Sequence, residues 1–179
     1  IDDAISGAPM ATQFALTRCL RPWLADHRTG GAMFSDCDVL FRKDIAALKE
    51  LADPSKAVMV VKHDHRPATG EKMDGQVQSA YPRKNWSSLM LWNLRHPAVR
   101  GLNLTDVNSM RGLDLHQFNW LPDDAIGGLP ATWNWLAGYS EPDPDPAAVH
   151  FTEGTPDMAT VKPPFADEWW SYLKETGDV

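Results

Sequence analysis

The sequence predicts one α/β domain, a central, mostly parallel sheet sandwiched between helices. Three observations support this. Short apolar runs at Ala32–Ser35, Ala57–Val61 and Leu89–Trp92 are bounded by polar or turn residues, as buried strands are. Helix-spaced segments alternate with those runs, and alternation implies a layered sheet with crossover helices. The 179 residues, 43% hydrophobic and 23% charged, are enough to bury a core without disulfide or metal staples.

The elements follow in chain order. Between Pro9 and Leu24, Phe14, Leu16, Leu20, Trp23 and Leu24 recur at roughly helical spacing, with Thr12 at the start and Gly30-Gly31 closing the next loop. Ala32-Met33-Phe34-Ser35 enters an acidic turn, Asp36-Cys37-Asp38-Val39-Leu40-Phe41. Asp44 then caps a helix to Leu51 that carries Ile45 and Leu48. After Asp53-Pro54, the β-branched run Ala57–Val61 is a buried strand leading into Lys62-His63-Asp64-His65. Arg66 to Val77 has no period and reads as a long loop, the kind that covers a site. Asn85 to Asn93 is a third strand with polar ends, and helical or irregular chain follows to Asp114. Leu115 to Leu136 holds Trp120, Trp133 and Trp135 and a turn signal at Gly127-Gly128. Pro142, Pro144 and Pro146 mark an extended linker. Ala147–Thr152 is a last short strand, and Asp167–Glu175 an amphipathic helix with Trp169, Trp170 and Leu173.

Charge and composition narrow the function classes. With 17 basic against 24 acidic residues the net charge is −7, which argues against a broad nucleic-acid footprint and for small polar substrates. The two cysteines, Cys19 and Cys37, have no zinc-knuckle or disulfide spacing, so a reducing, cytoplasmic setting is expected. No apolar run approaches the roughly 20 residues that span a bilayer, so no transmembrane segment is expected; at most the protein is peripheral to a membrane. Because the chain opens on Ile1, a first strand is expected to lie upstream of it.

The acidic turn carries the chemistry. Asp36 and Asp38, one residue apart at the end of an apolar strand, leave on one side and can converge on one ion. Their oxygens suit Mg²⁺ or Mn²⁺, which would neutralise the charge developing as a diphosphate leaves a sugar. The bland alternative is a solvated turn or capping pair. His150, in an apolar strand, is either a hydrogen-bonded core histidine or a third ligand.

In this context the sequence resembles the nucleotide-sugar glycosyltransferases of the GT-A fold, a Rossmann-like sandwich, and within them the glycogenin and lipopolysaccharide galactosyltransferase group. Arg18 on a helix, Met33-Phe34-Ser35, Asp36-Cys37-Asp38-Val39-Leu40 and Asp44-Ile45-Ala46-Ala47-Leu48 repeat that group's order. Asn85 to Asn93 is similar to its Asn-x-Gly-x-x-Leu-x-Asn strand, with Ser in place of Gly. Trp133-Asn134 resembles its Trp-Asn, and His150-Phe151-Thr152-Glu153-Gly154 its His-Phe-x-Gly closing motif. The resemblance spans about Thr12 to Gly154. It implies a single catalytic domain over residues 1–179, with its first strand upstream. It further implies transfer of a hexose from a nucleotide-diphosphate sugar, a UDP-sugar foremost, to a glycan, lipid-linked or protein hydroxyl, with retention. The metal, Mn²⁺ or Mg²⁺, would sit on Asp36, Asp38 and His150. The group's closing motif runs on to Lys-Pro-Trp, whereas Thr155-Pro156-Asp157 stands here and Lys162-Pro163 is displaced.

The remaining site candidates follow from the same reading. Arg18, Asn85, Ser87, Ser88 and Gly154 are donor-site residues. His63 and His65 share strand parity and face sugar or acceptor rather than a second ion. Gln117 lies where the resembling enzymes hold a residue beside the anomeric carbon, with His116 before it. Trp86 and Trp120 are candidate sugar or acceptor platforms among eight tryptophans that mostly fill the core. Asp123-Asp124 reads as a helix N-terminus, with a catalytic base as the alternative. Two other functions remain open: a haloacid-dehalogenase-type phosphatase with Asp36 as nucleophile and Asp38 as acid-base, and a non-catalytic nucleotide-sugar-binding domain.

Overall fold

The computed structural model describes residues 16–25, 30–64, 70–71, 77–78, 82–159 and 162–177. A four-stranded sheet forms the centre, in the order β1 (Gly31–Ser35), β6 (Leu89–Asn93), β3 (Val58–Val60), β7 (Ile126–Gly128). A three-stranded sheet, β2 (Val39–Phe41), β9 (Ala148–His150), β8 (Trp135–Leu136), packs beside it, and β4 (Gly70–Glu71) pairs with β5 (Val77–Gln78). The helices are short: α1 (Arg21–Leu24), α2 (Ala47–Glu50), α3 (Pro97–Gly101), α4 (Leu104–Ser109), α5 (Gly112–His116) and α6 (Ala166–Thr176).

Alternation along the strands explains why the central sheet is covered on both faces. Val58 and Val60 of β3 and Met90 and Trp92 of β6 join one core cluster with Phe118, Leu121 and Ile126. Their neighbours Met59, Val61 and Leu89 point the other way, against Leu48, Trp133 and Ala148. Leu40, Trp135, Val149 and Phe151 extend this second layer to Phe165 and Trp169, so the tryptophan-bearing α6 closes it.

The α/β class holds, but the sheets are mixed rather than mostly parallel. Among the described strands β3 pairs with β7 and β8 with β9 in parallel, while β6 runs antiparallel to both β1 and β3. An antiparallel β3–β6 pair needs no crossover helix between its strands, whereas the parallel β3–β7 pair is reached only after the helices α3 to α5.

Several local expectations change. Gly127-Gly128 is the strand β7 and not a turn; a Cβ on Gly127 would lie 2.0 Å from Met59 Sδ, so glycine permits close pairing with β3. Residues 86–88, expected as strand, form a 3₁₀ turn entered through Asn85 in the left-handed region (φ 64°). The helix expected from Asp44 to Leu51 is the single turn Ala47–Glu50. The helix expected from Pro9 is described only as a 3₁₀ turn, Thr17–Leu20, running into α1; Thr12 and Phe14 lie outside the described residues. The long loop contains the β4–β5 pair, and most of its other residues lie outside the description.

Candidate metal centre and its surroundings

Two strand pairings assemble the centre. The β1–β6 ladder ends at Ser35 opposite Leu89, and one further bond, Asp36 N–H to Ser88 O at 2.8 Å, fixes where Asp36 leaves the sheet. The β2–β9 ladder pairs Val39 with His150, and Phe151 N–H donates to Asp38 O at 2.9 Å. Asp38 and His150 thus become lateral neighbours although far apart in sequence. Ligand atoms of Asp36, Asp38 and His150 all lie within 4.8 Å of one another.

Each side chain is held from behind. Arg18 forks onto Asp36, with Nη1 to Oδ2 at 3.1 Å and Nη2 to Oδ1 at 3.0 Å, and Nη1 also donates to Ser87 O at 3.0 Å. Burial pushes the Asp36 carboxyl above its ordinary range, Asp38 adds to the rise, and Arg18 and His150 oppose it. Ser87 Oγ lies 2.9 Å from His116 Nδ1 at the end of α5, and burial drives that imidazole down to about 3. His116 is therefore neutral at ordinary pH, and its tautomer sets the direction of its hydrogen bond with Ser87.

On the other side, His150 Nδ1 lies 3.0 Å from Asn134 Oδ1, and Asn134 Nδ2 donates to Ser88 Oγ at 2.9 Å and to Asn85 O at 3.2 Å. Ser88 Oγ itself donates to Asn85 O at 2.6 Å. His150 Nε2 then sits 3.4 Å from Asp38 Oδ2. Two carboxylates and an imidazole make an O,O,N donor set, which suits Mn²⁺ and accommodates Mg²⁺. The residues present therefore fit a hard or borderline divalent cation.

The other candidates divide into two groups. Ser87 and Ser88 are buried and belong to the networks behind the centre. Asn85 contributes its carbonyl to one of those networks, while its Nδ2 is buried without a partner. Thr152 Oγ1, two residues beyond His150, is likewise buried and unpaired. Trp86 lies under two cations, Lys62 Nζ at 5.7 Å and Arg83 Cζ at 5.3 Å from its ring centre, and its indole donates to His63 O at 2.8 Å. Trp120 stacks on Trp92 (ring centres 6.1 Å apart) and packs against the core, so much of its ring serves packing.

Gln117 is buried and its Oε1 accepts from Asn119 at 3.2 Å. Gly154 takes φ 130°, a conformation suited to glycine, just past the β9 strand. Asp123 opens a 3₁₀ turn and pairs with Arg83 at 2.6 Å. Lys162 is exposed and pairs with Asp167 at 2.6 Å. His65 lies outside the described residues. Asn134 is a functional residue that the sequence shows only through the Trp133-Asn134 resemblance. Its complete burial (0% exposed) is a property of packing that residue type alone does not signal.

No protein-family model matches the chain. Among curated proteins it is 44% identical over 171 residues to Protein CDI of Arabidopsis thaliana, an alignment covering 92% of this chain. The chain spans 66% of that relative's length, just short of two thirds. Among solved structures it superposes on the apo-form glycosyltransferase GlyE of Streptococcus pneumoniae TIGR4 with a TM-score of 0.57. That match has 15% identity and covers 94% of this chain and 45% of the other. It also superposes on the bifunctional glycosyltransferase WbbM in its apo form, with a TM-score of 0.55 at 15% identity, covering 91% of this chain and 38% of that one. At such identity the likeness establishes the fold, which is the GT-A fold, a mixed α/β sandwich.

Proposed function

We propose that the chain carries the donor-binding centre of a glycosyltransferase that moves a hexose from a nucleotide-diphosphate sugar, a UDP-sugar first among them. The acceptor is a hydroxyl of a glycan, a lipid-linked sugar or a protein, and configuration is retained, as in the glycogenin and lipopolysaccharide galactosyltransferase group. The observation that carries the reading is the meeting of Asp36, Asp38 and His150 at the edge of a GT-A sheet.

Bound on these three side chains, Mn²⁺ or Mg²⁺ would supply neutralisation of the charge that develops on a leaving diphosphate. The chain's own residues do the rest. Arg18 holds Asp36 in one orientation and places a second positive charge beside the centre. Asn85 Nδ2 and Thr152 Oγ1, buried and unpaired, are donors that a sugar or phosphate oxygen would satisfy. Trp86, with its flanking Lys62 and Arg83, offers a rim against which an acceptor can lie. His150 within the carboxylate cluster favours cation binding over the phosphoenzyme chemistry of a phosphatase, which has no role for it.

The test is hydrolysis of a panel of UDP-sugars with Mn²⁺, with and without EDTA, by wild type and Asp38→Ala. The proposal expects slow Mn²⁺-dependent release of UDP, reduced roughly 10²-fold by either change. Release indifferent to both removes the metal role. Tight UDP-sugar binding with no release, with or without acceptors, would leave a binding domain.

A further inference from the structure

The hydrogen bonds behind His150 leave one solution for its protons. The carbonyl of Asn85 accepts only, so the group Asn134 turns toward it at 3.2 Å must be Nδ2–H. Ser88 Oγ gives its own proton to the same carbonyl and receives the second Nδ2–H at 2.9 Å. The amide orientation of Asn134 is thereby set by a backbone group. Its Oδ1 then faces His150 and can only accept, so His150 Nδ1, 3.0 Å away, carries the proton. When the ring is neutral, Nε2 therefore presents a lone pair toward Asp38 Oδ2 at 3.4 Å, an approach of two acceptors that a cation shared between them, or a proton on Nε2, makes favourable.

We propose that Asn134 is a positioning residue that fixes the tautomer and rotation of His150 for cation binding through Nε2, with the left-handed turn at Asn85 as the ultimate anchor. The inference rests on the proposed metal reading for its purpose, but its tautomer claim stands without any ion. Asn134 is completely buried and His150 nearly so, so water cannot replace the amide as partner. Asn at position 85 suits its role because asparagine is among the few residues that tolerate φ 64°. Outer partners of this kind commonly set metal affinity by about 10–100-fold.

Two variants and one spectrum test this. Asn134→Asp keeps an acceptor opposite Nδ1–H, Asn134→Leu removes it, and both lose the two Nδ2 donors, so a role resting on those donors alone would weaken both variants. Mn²⁺ titration followed by the electron paramagnetic signal of the free ion should show affinity within a few-fold of wild type for Asn134→Asp. Asn134→Leu should be weakened about 10–100-fold. Equal weakening in the two variants overturns the proposal. Independently, ¹⁵N-resolved imidazole spectra of the metal-free wild type at about pH 9, where an ordinary histidine is neutral, should show His150 protonated at Nδ1, assigned by its absence in His150→Gln. A proton on Nε2 overturns the proposal even if neither Asn134 variant folds. Wild type that binds no Mn²⁺ yet shows the Nδ1–H form refutes the metal reading while supporting the role of Asn134.

Discussion

Replacing Arg18 by Met keeps the stem and removes the guanidinium, and its consequence can be worked from the geometry. The fork onto Asp36 at 3.0 and 3.1 Å corresponds to a charge pair of about 4 kcal/mol at 4 Å and an effective dielectric of 20. Side-chain exposures of 13% for Arg18 and 24% for Asp36 place the pair between surface pairs, worth up to about 1 kcal/mol, and buried ones, whose breakage costs about 3–5. A loss of about 2–3 kcal/mol in EDTA is therefore expected. Burial already holds the Asp36 carboxyl above its ordinary pKa, and loss of Arg18 raises it further. A carboxyl whose folded pKa exceeds its unfolded value favours folding at low pH and weakens it as pH rises through the folded value. The loss should thus be largest at neutral pH and fade in acid. Mn²⁺ supplies the missing positive charge, so the variant should bind the ion more tightly than wild type and, at one saturating Mn²⁺ concentration, gain more stability from it, by about 1.4 kcal/mol for each tenfold difference in Kd. Urea unfolding with EDTA or Mn²⁺ at two pH values reads all of this. A loss independent of both Mn²⁺ and pH would refute the assignment of Asp36 as a shared partner of Arg18 and the ion.

Two further outcomes follow from the buried groups. His116 has a folded pKa of about 3, far below the ordinary imidazole value, so its contribution is complete above about 6.5 and declines as pH falls toward 3. The unfolding free energy of wild type from urea titration should drop by about 3 kcal/mol between pH 7 and pH 4 relative to His116→Asn, and parallel pH profiles would contradict a buried neutral imidazole. Cys37 is exposed between the two aspartates, whereas Cys19 is buried with its thiol pushed up to about 12. Iodoacetamide on the native protein should label Cys37 alone, with Cys19 labelled only after unfolding, as peptide mass mapping will read. Rapid native labelling of Cys19 would contradict its burial.

The acidic turn was legible because its information is local: an apolar run, two carboxylates one residue apart and a following capped turn lie side by side. Its assembly was not. Val39–Phe41 is a three-residue strand, too short to show a period, and its pairing with His150 depends on a chain that returns from far away. Strand direction was equally hidden, since a long loop between β3 and β6 is compatible with either a crossover or a return at the same end. Gly127-Gly128 carried the composition of a turn, and only the proximity of Met59 shows why glycine is required in a strand there. Ser87, Ser88 and Asn85 were singled out for hydroxyl and amide chemistry. The structure spends much of that capacity on orienting Arg18 and Asn134, a tertiary use that side-chain type alone does not disclose.

The most direct measurement is an anomalous difference map from crystals grown with Mn²⁺ and UDP. The account predicts one manganese peak bonded to Asp36, Asp38 and His150 Nε2, with the diphosphate of UDP on its open side. A peak at any other residues, or UDP bound with no metal between it and these three side chains, would contradict it.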